Sequence, residues 1–184
     1  MWIAIVAVVV IIILWVIMSY NGLIRRKLKT ENAWGQIDVQ LQRRFDLIPN
    51  LVNSVKGYME HEKDVLTKVT ELRTAWAGAH SIGEKVELDN QLTGALKTIM
   101  AVSENYPDLK ANQNFSELQE ELRNTENKIS YSRQFYNDSV TMYNTALSVF
   151  PTNIIASMFG FKPQTLFVVT DNEARNNVKV DFGK

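Results

Sequence analysis

Residues 34–59, WGQIDVQLQRRFDLIPNLVNSVKGYM, place apolar side chains at Trp34, Ile37, Leu41, Phe45, Ile48, Val52, Val55 and Met59. The intervals alternate between threes and fours, which keeps these residues on one face of an α-helix. Charged and amide residues fill most other positions, so the helix buries a stripe and wets the rest. Val65, Leu66, Val69, Leu72, Arg73 and Trp76 continue the stripe. The pattern predicts one helix of about 50 residues, closing near Gly78. Pro49 lacks an N–H and removes one bond of the helical ladder, so a kink is expected there. Gly57 is a second weak point.

Toward the C-terminus, Ser81 and Glu84 have the spacing of a capping box, followed by Val86, Leu88, Leu92, Leu96, Ile99 and Val102. Tyr106-Pro107-Asp108 ends that second helix, and a polar loop follows in which Leu109 is the expected buried point. Ser116 and Gln119 repeat the capping-box spacing. A third stripe runs through Phe115, Leu118, Leu122, Ile129, Tyr136, Val140, Tyr143, Leu147 and Phe150 and stops at Pro151. Thr152 or Asn153 can cap a last short helix, IIASMF (154–159), closed by Gly160. That helix either covers the open end of a bundle with Ile154, Ile155, Met158 and Phe159, or lies on a membrane or a second copy. Its lack of Lys and Arg between Phe150 and Phe161 favours the cover. From Pro163 the tail holds one strand-like apolar cluster, Leu166 to Val169, then a polar run expected to be mobile.

Toward the N-terminus, residues 1–18, MWIAIVAVVVIIILWVIM, are continuously apolar, and no charged residue occurs before Arg25. At about 1.5 Å per residue, some 20 such residues cross a hydrocarbon core of roughly 30 Å. A cleaved signal peptide needs a basic start, a shorter apolar region and a small-residue cleavage site. The start carries no basic side chain, and Ser19-Tyr20-Asn21 is a poor cleavage site. An uncleaved anchor is therefore expected, with Trp2, Trp15 and Tyr20 suited to the interfaces. Arg25, Arg26, Lys27 and Lys29 follow the span and no cation precedes it. The positive-inside rule then leaves the N-terminus outside and the remainder cytoplasmic, as a single-pass protein of the cell (inner) membrane.

The 184 residues thus divide into an anchor (1–24), a helical bundle (25–161) and a mostly irregular tail (162–184). The expected fold class is all-α: an N-terminal transmembrane helix, then an antiparallel up-and-down bundle of three long helices plus a short fourth. Twenty basic residues balance twenty acidic ones, which argues against a nucleic-acid partner. The chain has no cysteine, which excludes disulfides, thiolate metal sites and cysteine nucleophiles. Glu60-His61-Glu62 lacks the second histidine one turn on that a zinc site needs, since position 65 is Val65. Neither histidine completes a Glu-x-x-His pair, because Tyr58 precedes His61 by three and Ala77 precedes His80. No cofactor, metal or catalytic residue is expected.

Two polar stripes flank the apolar seams. Asp46, Asn50, Asn53 and Gly57 follow 4-3-4 spacing, while Glu126, Ser130, Arg133, Asn137, Thr141 and Asn144 run at 4-3-4-4-3. The candidate interaction or interhelical polar cluster is Arg44, Asp46, Asn50, Asn53, Arg133, Asn137 and Asn144. As a seam, these residues would hydrogen-bond between helices and fix register, because an unpaired buried amide or guanidinium costs about 1–3 kcal/mol or more. As a groove, they would take a ligand or partner. The seam is the favoured reading.

RRFDLIPNLVNSVKGYMEHEKDVL (43–66), VTELR (69–73), NYPDLKANQNFSELQEELRNTENKISYSRQFYNDSVTMYNT (105–145) and FPTNIIASMFGF (150–161) together resemble the LemA family over nearly the whole chain. The resemblance implies a membrane-anchored helical bundle, with no assigned reaction and no catalytic residues to carry over. By family association it also implies partners in membrane-protein quality control. The expected function is a non-enzymatic, membrane-tethered interaction or scaffold module. Its expected partners are the bilayer through residues 1–24 and a protein, either another species or a second copy. The alternative is an accessory subunit or enzyme whose groove is lined by Asp46, Asn50, Arg133 and Asn137.

Overall fold

The computed structural model describes residues 1–58 and 62–168. Met59, the last residue of the first run of the stripe, Glu60 and His61, and the tail from Val169 onward, including its polar run, lie outside the described residues. All regular structure among the described residues is helical: α1 (Trp2–Asp46), α2 (Ile48–Val55), α3 (Lys63–Gly78), α4 (Ile82–Ser103), α5 (Pro107–Lys110), α6 (Gln113–Ser148) and α7 (Thr152–Met158). The fold class is all-α.

The division into helices differs from the sequence reading toward the C-terminal end of the first stripe. The apolar span and the first amphipathic segment form one 45-residue helix, α1, continuous through Gly22 and Gly35. Pro49 acts as a kink, since Leu47 N–H still reaches the Arg43 carbonyl (3.2 Å) and Leu51 N–H the Leu47 carbonyl (3.0 Å). Gly57 marks the true break. Tyr58 N–H turns back to the Val55 carbonyl and the next described helix begins at Lys63, so among the described residues the predicted single helix to Gly78 is three segments. The capping box at Ser81 and Glu84 forms, with both reciprocal bonds present. The one expected at Ser116 and Gln119 does not. The helix starts three residues earlier, at Gln113, and the Asn112 side chain accepts from Phe115 N–H at 3.2 Å.

The chain clusters into two compact units, Met1–Gln42 with Thr125–Phe167, and Arg43–Asn124 with Val168. Helices α1 and α6 contribute to both. In the first unit the buried residues include Leu23, Ile37, Leu41, Ile129, Tyr136, Val140, Tyr143, Ile155 and Phe167. Trp34 meets Tyr136 while Leu23 meets Ala146, so α1 and α6 run antiparallel there. In the second unit α3 packs against α4 and α2 against α3. Phe45 and Trp76 stack there with ring centroids 4.3 Å apart.

Residues 2–18 of α1 are apolar on every side, and almost none of that surface is covered by protein. In water such a helix would expose a contiguous apolar surface far beyond what soluble proteins carry. Its length and composition suit a membrane crossing. Helix α7 buries Ile155 and Ala156, but Ile154, Met158 and Phe159, expected in the cover, stand exposed, as does Phe150.

Candidate functional site

The polar residues of α6 in the first unit meet the peptide backbone of the chain's own extended segment, Lys162–Phe167. Asn137 donates from Nδ2 to the Phe167 carbonyl (3.0 Å) and accepts from Phe167 N–H at Oδ1 (2.8 Å). Asn144 does the same one heptad on, donating to the Gln164 carbonyl (2.8 Å) and accepting from Gln164 N–H (2.9 Å). The preceding tyrosines join in. Tyr136 donates to the Thr165 carbonyl (2.9 Å) and Tyr143 to the Lys162 carbonyl (3.1 Å).

The register follows from geometry. Seven helical residues rise about 10.5 Å, and three extended residues span about 10 Å. An Asn every seven positions on α6 therefore meets a peptide every three positions on an antiparallel extended strand. The repeated Tyr-Asn dipeptide, Tyr136-Asn137 and Tyr143-Asn144, is the sequence signal for this clasp, and reading α6 only for helix partners missed it. Phe167 seals the end. It is buried, with the Arg133 guanidinium 4.5 Å above its ring and Trp34 beside it. Arg133 also lies 3.9 Å from Glu126. Burial pushes the Tyr136 and Tyr143 phenols above their ordinary value, and the Glu31 charge adds to the effect at Tyr143.

Arg44 belongs to the second unit. Its side chain is 4% exposed and donates from Nη1 to Asp89 Oδ1 at 2.8 Å and to Thr93 Oγ1 at 3.1 Å. Asp89 is fully buried, and Thr93 Oγ1 is tied in turn to the Asp89 carbonyl at 2.9 Å. The sequence reading did not include Asp89 or Thr93. The signal was positional: Asp89 precedes Leu92, Leu96, Ile99 and Ser103 at 3-4-3-4 spacing, so it occupies the buried register of α4. Asp46, Asn50 and Asn53 are exposed residues of the second unit. The seven candidates thus divide into the α6 clasp, the Arg44 ion pair and a solvated face.

A separate groove of about 530 Å³ lies between α1 and α6 in the first unit, lined in part by Gly35, Val39, Gln40, Lys128, Tyr131 and Ser132. Val39 is 65% exposed and Tyr131 76%. Gln40 Oε1 is buried there with no hydrogen-bond partner. A Cβ added at Gly35 would meet nothing within 4 Å. The bare Gly35 and the exposed side chains of Val39 and Tyr131 thus share one face of the first unit.

A family model described as the LemA family matches residues 33–182. Protein LemA of Metamycoplasma hominis is 26% identical over 154 residues, covering 83% of this chain and 70% of that protein. Magnetosome protein MamQ 2 of Paramagnetospirillum magneticum is 25% identical over 185 residues, covering 86% of this chain and 68% of that protein. Magnetosome protein MamQ of Magnetospirillum gryphiswaldense is 23% identical over 172 residues, covering 79% and 63%. The family match takes in both the Arg44 ion pair and the α6 clasp, and with it this membrane-anchored helical chain belongs to the LemA family.

Proposed function

We propose that the protein is a non-enzymatic, membrane-tethered interaction module whose contact face is the α1–α6 groove around Gly35. The observation that carries this reading is the pair of exposed side chains Val39 and Tyr131 beside the open space over Gly35. A docked protein helix would cover both side chains and pack its own apolar residues over the bare glycine. Of the polar residues considered for a groove, Asn137 binds the chain's own backbone, whereas Asp46 and Asn50 are exposed residues of the second unit. Tethering confines the groove near the bilayer and raises the effective concentration of any partner held there. The partner is a membrane-associated protein, a second copy of this chain included. The four cations after the span support an outside N-terminus and a cytoplasmic bundle.

The test is a photo-crosslinking amino acid at Val39 or Tyr131 of the full-length protein in its native membrane, with mass spectrometry of the products. A reproducible adduct from both sites, not seen from Arg123, is expected. Gly35→Leu should fill the groove and abolish the adduct without loss of helicity. Capture from Val39 no greater than from Arg123, or unaffected by Gly35→Leu, would overturn the proposal.

A further inference from the structure

We infer that α7 and the residues just before it form a second membrane contact, seated in the lipid interface of the leaflet where the α1 span ends. The inference goes beyond the interaction module and uses a different surface.

It begins with depth. Val16 lies fourteen residues beyond Trp2, about 21 Å along a helix axis, inside a hydrocarbon core of roughly 30 Å. Tyr20 follows at about 27 Å and Leu23 at about 32 Å on the same rise. Leu23 forms a buried cluster with Ala146, Ile155 and Ala156, and Val16 and Tyr20 pack against that cluster. The Tyr20 ring sits 4.8 Å from that of Phe159 and 5.7 Å from that of Phe161. Helix α7 is therefore held against the part of α1 that crosses from hydrocarbon to headgroups.

At that depth α7 turns apolar side chains outward. Phe150 is 80% exposed and Met158 67%, and Ile154 and Phe159 are about half exposed. Ile154 and Met158 are one turn apart on the side of α7 away from Ala156. In water this patch would be a liability, whereas the headgroup–acyl boundary takes up such side chains. The segment from Phe150 to Phe161 carries no charge. Free amphipathic helices use Lys and Arg to find an anionic surface, but α7 is delivered by the span beside it. An uncharged face also seats without desolvating an ion. The contact therefore needs no anionic lipid.

The chain's lack of cysteine makes the test direct. Full-length Phe150→Cys, Met158→Cys and Arg123→Cys proteins are labelled with an environment-sensitive fluorophore and reconstituted into phosphatidylcholine vesicles. Some vesicles carry a nitroxide near the acyl ester. Labels at positions 150 and 158 should emit further to the blue and be quenched several-fold more by the lipid nitroxide than the label at 123, an exposed position outside the groove. Addition of an anionic lipid should not change the difference. Labels at 150 and 158 as open to aqueous iodide as the one at 123 would overturn the inference. So would labels shielded from both iodide and the lipid nitroxide, because that outcome assigns the patch to a protein occupant.

Discussion

Replacing Asp89 with alanine tests whether the Arg44 ion pair holds the second unit together. The Arg44 and Asp89 side chains are 4% and 0% exposed and 2.8 Å apart. Removing the carboxylate leaves a guanidinium in a site with almost no access to water, and breaking a buried pair in this way costs about 3–5 kcal/mol. Thr93 still accepts one N–H at 3.1 Å, which places the expected loss at the lower end of that range. For a chain of this size each kcal/mol moves Tm by about 2–4 °C. Arg44→Met combined with Asp89→Leu removes both charges and should recover most of the loss, because apolar replacement of a whole buried pair is often neutral or stabilising by about 1–4 kcal/mol. The assay is urea unfolding of the full-length protein in non-ionic detergent, with Trp2, Trp15 and Trp34 replaced by Phe. Trp76, stacked on Phe45, then reports the same unit. A loss below about 1 kcal/mol for Asp89→Ala, or a double variant no more stable than Asp89→Ala, would refute the argument.

Asn137→Ala with Asn144→Ala removes four hydrogen bonds to the extended segment. At roughly 1 kcal/mol each, the segment should detach and become a protease site between Lys162 and Phe167 while α6 stays helical; an unchanged digestion pattern would show the clasp to be incidental. Tyr136 and Tyr143 have phenols raised by burial. Their contribution to stability is complete below the unfolded value of about 10 and is lost as pH rises through the folded values. Alkaline difference spectra should show both phenols titrating late, and Tyr136→Phe or Tyr143→Phe should each remove a late component. Glu84 is held below its ordinary value by the backbone N–H groups of Ser81 and His80. Its contribution is present above the unfolded carboxylate value and is lost as pH falls through the folded one, so amide exchange in the first turn of α4 should rise in acid. Ser81→Ala should cost about 1 kcal/mol of helix stability at neutral pH, and no change in either measurement would show the box to be ornamental.

The helices were legible because a 3.6-residue period written in apolar side chains leaves little alternative to an amphipathic helix. Phe45, Ile48, Leu72, Leu96, Ile129 and Tyr143 are buried as that period predicts. The span and the Pro49 kink were legible for equally local reasons. What local rules missed were competitions. Asn112, as good a cap as Ser116 and four residues nearer the loop, accepts from Phe115 N–H and starts α6 ahead of Ser116. At Gly57 the residue's low helix propensity weakens the ladder, and the chain turns there although the apolar stripe runs on either side. Asp89 was passed over because a charged residue breaks an apolar tally, although its register is that of the core.

The clasp was hidden for a further reason. The Asn residues of α6 were read as partners for side chains on another helix, as the structure of amphipathic seams suggests. A carboxamide, however, carries one donor and one acceptor side by side, the same pair that a peptide group presents to a neighbouring strand. Asn137 and Asn144 use that likeness to pair with Phe167 and Gln164 as a β-strand would. They let a helix satisfy an extended backbone that joins no sheet among the described residues, which explains how Leu166 and Phe167 fit an all-α protein. Asp cannot replace them, since an ionised carboxylate accepts the N–H but repels the carbonyl. Gln adds a methylene that shifts both contacts at once. Asn137→Asp should therefore weaken the clasp about as much as Asn137→Ala.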